Sequence, residues 1–149
     1  MNYEERDTYG IYRPALADPS GNPGPAVRRG PGPELMGANT LIGNDVFNLQ
    51  GQQIGDIKEI MLDMRNGQVG YAVMSFGGFM TLGEKLFAVP WGSLKLDAEH
   101  KRFTLDVDLE RLEIAPGFDK DNWPDMVDAT WAKDIHAYYG ITPYSDGKI

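Results

Sequence analysis

The sequence predicts a mainly β fold: a small antiparallel β-barrel, preceded by a flexible Pro/Gly-rich tail and followed by a helical extension. Three observations carry this. Short apolar runs alternate with turn signals from Leu41 to Val107. Two of those runs, Val69–Phe76 and Leu86–Val89, are long and apolar enough to be buried strands, and they flank a glycine-bearing loop. After Asp108 the texture changes to segments that open on aspartate caps and close on Gly or Pro.

The elements follow in order. Arg13–Gly37 interleaves six prolines with glycines and has too few apolar residues to offset the entropy of ordering it, so residues 1–37 read as a tail. Within the tail, Tyr3, Tyr9, Ile11, Tyr12 and Leu16 form an aromatic patch able to dock on the domain or a partner. Residues 38–108 form the barrel. Asp45–Leu49 is a short strand and Gln50-Gly51 a turn. Ile54–Met64 fits either a helical stripe or a strand, and Gly55 with the flanking turns favours a strand bulged near Lys58-Glu59. Asn66-Gly67 is a hairpin dipeptide. Val69–Phe76 is apolar on both faces apart from Ser75, which predicts a strand covered on two sides. Pro90, unable to donate to a ladder, suits the end of its partner Leu86–Val89. Leu94–Leu96 and Arg102–Val107 flank a polar turn at Ala98–His100. In the latter, Phe103, Leu105, Val107 and Leu109 face one way. Closure into a barrel would remove the exposed edges of so many short strands.

Residues 109–149 form the extension. Asp108 is placed to cap a turn of helix over Leu109–Ile114, stopped by Pro116. Asp128 is placed to cap a helix over Ala129–Tyr139 that ends at Gly140. Trp131, Ile135 and Tyr138 then share its apolar face, with Lys133 and Asp134 outside.

Composition excludes several classes. With no cysteine there is neither a disulfide framework nor a thiolate metal site, and two histidines give little basis for a transition-metal centre. The net charge of −8 is concentrated in residues 97–149, which hold twelve acids against six bases. The basic pair Arg28-Arg29 sits among prolines and glycines, which disfavours direct nucleic-acid binding. No apolar run is long enough to span a membrane, and the acidic start is unlike a leader peptide; the expectation is a soluble cytoplasmic protein.

The order Leu41-Ile42-Gly43, Asp45-Val46-Phe47, Gly51, Ile54-Gly55-Asp56-Ile57, Leu62-Asp63, Gly67, Val69, Phe76-Gly77-Gly78-Phe79, Gly83-Glu84-Lys85 and Ala88-Val89-Pro90-Trp91 resembles the PRC-barrel family over about Leu41–Asp108. That family includes barrels of the photosynthetic reaction-centre H subunit and of a ribosome maturation factor. The resemblance implies a small β-barrel used for protein contact and regulation, without a shared catalytic constellation. The Pro/Gly-rich tail stands where those two proteins carry a transmembrane helix or another folded domain. The similarity is closer to free-standing bacterial members, some of which have an extension resembling Phe118–Gly140.

The candidate site residues are partner-binding ones: Phe79 and Met80 at the tip of the Phe76–Lys85 loop, and Trp123, Trp131, Tyr138 and Tyr139 in the extension. The loop glycines serve either as turn formers or to present the tip to a partner. They lack P-loop spacing. The extension aromatics either fold back to seal an open barrel end or cross to a second subunit and anchor a homodimer. Asp119, Asp121, Asp125 and Asp128 recur in one loop but lack the terminal bidentate Glu of a calcium loop, so capping accounts for them better. No nucleophile stands beside a base signature, and no cofactor or enzymatic activity is expected. The expected function is therefore non-enzymatic binding of a protein partner. The alternatives are a small-molecule-binding or enzymatic barrel mouth and an accessory role in a membrane electron- or proton-transfer complex.

Overall fold

The computed structural model describes residues 2, 3, 5, 6, 35–76 and 85–141. A short helix α1 (Ala38–Leu41) leads into β1 (Asp45–Phe47). Buried Asn44 ends α1: its side-chain amide donates to the Thr40 and Leu41 carbonyls, both at 2.8 Å. Next come β2 (Gln53–Asp63), β3 (Gln68–Phe76), β4 (Lys85–Pro90), a 3-10 turn (Trp91–Ser93), β5 (Leu94–Asp97) and β6 (Arg102–Leu105). Helices α2 (Leu109–Glu113) and α3 (Ala129–Tyr138) complete the chain.

The strands form one six-stranded sheet in the order β4-β3-β2-β1-β6-β5. Laid flat, six strands would span about 24 Å at their ordinary spacing. Yet the two edge strands are consecutive in sequence, and the 3-10 turn between them reaches about 8 Å. The sheet must therefore curl until its edges approach. β2 bends to allow this, with register shifts between Ile57 and Glu59 and between Met61 and Leu62. The first lies where the sequence places a bulge.

Two expectations are corrected. The β1–β6 pair is parallel, so the sheet is mixed rather than wholly antiparallel. Among the described residues, no ladder joins β4 to β5, so the barrel curls without closing and both strands remain edges.

Alternation sorts the side chains. Val46, Ile54, Ala72, Met74, Phe87, Val89, Phe103 and Leu105 fill the inside of the curl, joined by Leu112 of α2 and by Ala115. Phe76 meets Phe87 edge-on, ring centroids 6.3 Å apart. Both helix caps have the expected residue: Asp108 accepts from the Arg111 amide at 2.7 Å and Asp128 from the Thr130 amide at 2.9 Å. Asp108→Ala and Asp128→Ala should each cost about 1 kcal/mol in urea unfolding, since each leaves a helix-end amide without its acceptor.

Candidate protein-binding face

The outer surface of the sheet has two different halves. Over β1, β5 and β6 it carries Asp45, Lys95, Asp97, Arg102 and Thr104, with the Arg102 guanidinium laid over the Phe47 ring at 3.7 Å. Over β3 and β4 the outward positions are Tyr71, Val73 and Ser75 and, opposite them, Pro90, Ala88 and Leu86, all buried. An apolar outer face of this kind needs a cover.

The C-terminal extension supplies it. Phe118 bonds both ways with Leu86 on the free edge of β4, each bond 2.8 Å, extending the sheet by one residue pair. The chain then turns through Asp119–Asp128, where the carboxylates of Asp119, Asp125 and Asp128 accept local backbone amides. Of these, Asp128 caps the helix that follows, while Asp119 and Asp125 close turns within the loop. Helix α3 follows, with Ile135 buried against Tyr71 and Ala88.

The predicted site residues fall as follows. Trp131 is half-buried with its ring 5.2 Å from Tyr71. Tyr138 stacks at 4.8 Å under the Arg111 guanidinium and donates its hydroxyl to the Arg111 carbonyl, while Arg111 donates back to the Tyr138 carbonyl at 2.7 Å. That reciprocal pair ties α2 to α3. Tyr139 packs against both the inner core and the outer cluster, and burial, then the neighbouring Tyr138, pushes its hydroxyl pKa well above the usual tyrosine value. Trp123, still 43 % exposed, lies 5.0 Å from the Phe118 ring and donates Nε1–H to the Lys120 carbonyl at 2.9 Å. Phe79 and Met80 lie outside the described residues. The structure thus brings Trp131, Tyr138 and Tyr139 together with their own barrel. Sealing of the core comes from Leu112 and Ala115, aided by Tyr138 and Tyr139, whereas Trp131 covers the outer face instead of an open end.

Buried His136 also belongs to this cover. Its Nδ1 lies 2.7 Å from the Ala132 carbonyl, which can only accept, so Nδ1 carries the proton. Its ring meets Tyr71 edge-on at 5.6 Å. A small cleft remains between cover and sheet, lined by Ala88, Pro116, Gly117, Phe118, Pro124, Trp131 and Ile135, with a volume of about 50 Å³. It has no ionisable lining and is far below the ~300 Å³ of ordinary small-molecule sites. Elsewhere, Asp97, Glu99 and His100 place one potential ligand atom each within 4.8 Å of one another on the β5–β6 turn. There the His100 amide and ring both bond Asp97, at 3.1 and 2.8 Å, and close the turn.

Sequence reasoning missed a set of exposed apolar residues close in the chain to the covered cluster. Leu62 (56 % exposed) and Met64 (86 %) follow Met61, and Val127 (67 %) follows Met126; Met61 and Met126 both pack into the covered cluster. The signal was present in consecutive apolar residues, Met61-Leu62 and Met126-Val127, only one of which can turn inward.

No helix among the described residues is long and apolar enough to cross a membrane. No curated protein matches the chain. The family model described as the PRC-barrel domain matches residues 33–112, more than half of the chain and the whole of the curled sheet, and the chain belongs to the PRC-barrel family.

Proposed function

We propose that the chain is a non-enzymatic protein-binding module whose C-terminal extension, docked on the outer β3–β4 face, leaves an apolar rim for a partner. The observation that carries this reading is the exposure of Leu62, Met64 and Val127, close in the chain to Met61 and Met126 of the buried outer cluster, with Trp123 beside Phe118. Exposed apolar groups around a packed centre, with an aromatic among them, have the composition of a protein interface. The packed inner core and the small volume of the outer cleft weigh against a metabolite site at either place. A homodimer anchored by Trp131, Tyr138 and Tyr139 would have to displace their contacts with their own sheet and α2, so the rim is the better surface for any partner.

Leu62→Asp and Val127→Asp test the reading, because both positions are exposed and neither change should lower the melting temperature appreciably. In an affinity capture from native lysate, the wild-type chain should retain a small, defined set of proteins through a salt wash. Both variants should lose it. Retention of the same set by both variants would refute the rim as the binding surface.

A further inference from the structure

The first residues of the chain are seated on the barrel at a place unrelated to the β3–β4 face. Tyr3 is only 4 % exposed, and its amide donates to the Lys101 carbonyl at 3.0 Å. The segment around it is organised by its own side chains. The Asn2 amide donates to the Glu5 carboxylate and the Glu5 amide to the Asn2 side-chain oxygen, both at 3.0 Å, the reciprocal pattern of a capping box. The Arg6 amide closes the turn on the Asn2 carbonyl at 3.3 Å.

The seat is shaped to receive this turn. Lys101, at the end of the β5–β6 turn, has φ 58°, and this left-handed conformation presents its carbonyl to Tyr3. Gly43, between α1 and β1, has φ 96°, and a Cβ there would stand 2.6 Å from the Arg6 guanidinium carbon. A side chain at position 43 would therefore occupy the place the arginine takes.

We propose that the surface formed by the Gly43 and Lys101 turns is a peptide-docking seat, specific for a self-capped turn with a tyrosine anchor and an arginine three positions later. Its resident occupant is the chain's own Asn2–Arg6 segment, held in cis and exchangeable for the same sequence supplied in trans. Its contacts with the barrel include the Tyr3–Lys101 backbone hydrogen bond and the Arg6 guanidinium beside Gly43, and its Tyr3 is buried, as the anchor of a linear ligand is. Its own caps pre-organise the turn, which lowers the ordering cost of docking. Tethered through residues 7–34, it acts on the seat at an effective concentration on the order of 1 mM. Occupancy of about nine-tenths in cis then requires the free segment to bind with Kd of about 100 µM or tighter.

The test uses the full-length chain carrying Tyr3→Ala, which vacates the seat, and a fluorescein-labelled peptide of residues 1–10 followed by anisotropy. The variant should bind the peptide with Kd of about 100 µM or tighter, and the wild-type chain about tenfold more weakly because its own segment competes. A peptide with Tyr3→Ala should not bind. A folded variant that fails to bind up to about 1 mM peptide, or that binds no better than wild type, overturns the proposal. If the variant loses its thermal transition, added wild-type peptide should restore it by mass action, and failure to do so is equally contrary.

Discussion

Replacing Ile135 by aspartate should release the C-terminal helix from the sheet while the curled barrel stays folded. Ile135 is buried in the outer cluster with Tyr71 and Ala88, where a carboxylate would lose its hydration. The substitution removes the apolar contact, worth about 2–4 kcal/mol for a buried isoleucine. It adds the cost of either desolvating a charge or protonating it. Together these exceed what a ten-residue helix, one Phe118–Leu86 bridge and the Arg111–Tyr138 pair can offset. The inner core has its own contents, from Val46 to Leu112, and does not depend on Ile135. Trp131 emission should shift to the red, proteolysis should become rapid within Asp119–Asp128, and far-ultraviolet circular dichroism should keep its β character. Unchanged emission and protease resistance would show that the helix is held by something other than this face.

Gly55→Ala should be the most damaging single substitution in the sheet. At Gly55 the backbone has φ 156°, and a Cβ would stand 2.2 Å from the Ser75 carbonyl oxygen and 3.0 Å from Met74 Cγ. The obstacle is the backbone of β3, which cannot retreat without breaking the ladder that pairs Asp56 with Ser75 and Ile57 with Met74. Breaking it disturbs the central strand that both the inner core and the outer cluster share. A loss of about 3 kcal/mol or more follows, a large fraction of the stability of a domain this size. Thermal or urea unfolding measures it. A melting temperature within a degree of wild type would contradict the close approach of β2 and β3.

Much of this fold was legible in the sequence because its signals are local. The apolar run Val69–Phe76 announced a strand covered on two sides, and β3 is buried from Gly70 to Phe76 between inner core and extension. Gly55 and the turn signals decided Ile54–Met64 for a bulged strand, and Asp108 and Asp128 marked their helices. What escaped depends on distant partners. Nothing around Val46 or Phe103 says that β1 and β6 run parallel, since that register is set by the path of the intervening strands. The bridge from Phe118 to Leu86 follows from the unpaired edge of β4, which appears only once the sheet order is known. Helix α1 was missed because four residues carry no period, and its stop signal, the Asn44 side chain, lies beyond it. The site was half legible. Trp131, Tyr138 and Tyr139 were identified as interface-like aromatics, but sequence could not assign them to their own barrel or a second copy.

The central claim is that the extension covers the β3–β4 face of its own chain. Nuclear Overhauser contacts between the Trp131 and Tyr71 rings, whose centroids are 5.2 Å apart, test it most directly when recorded on two samples. In a uniformly labelled sample the cross-peaks should be present. In an isotope-filtered experiment on an equal mixture of labelled and unlabelled chains, which reports only contacts between chains, they should vanish. Cross-peaks that persist in the filtered experiment would place the helix on a neighbouring copy and contradict the account.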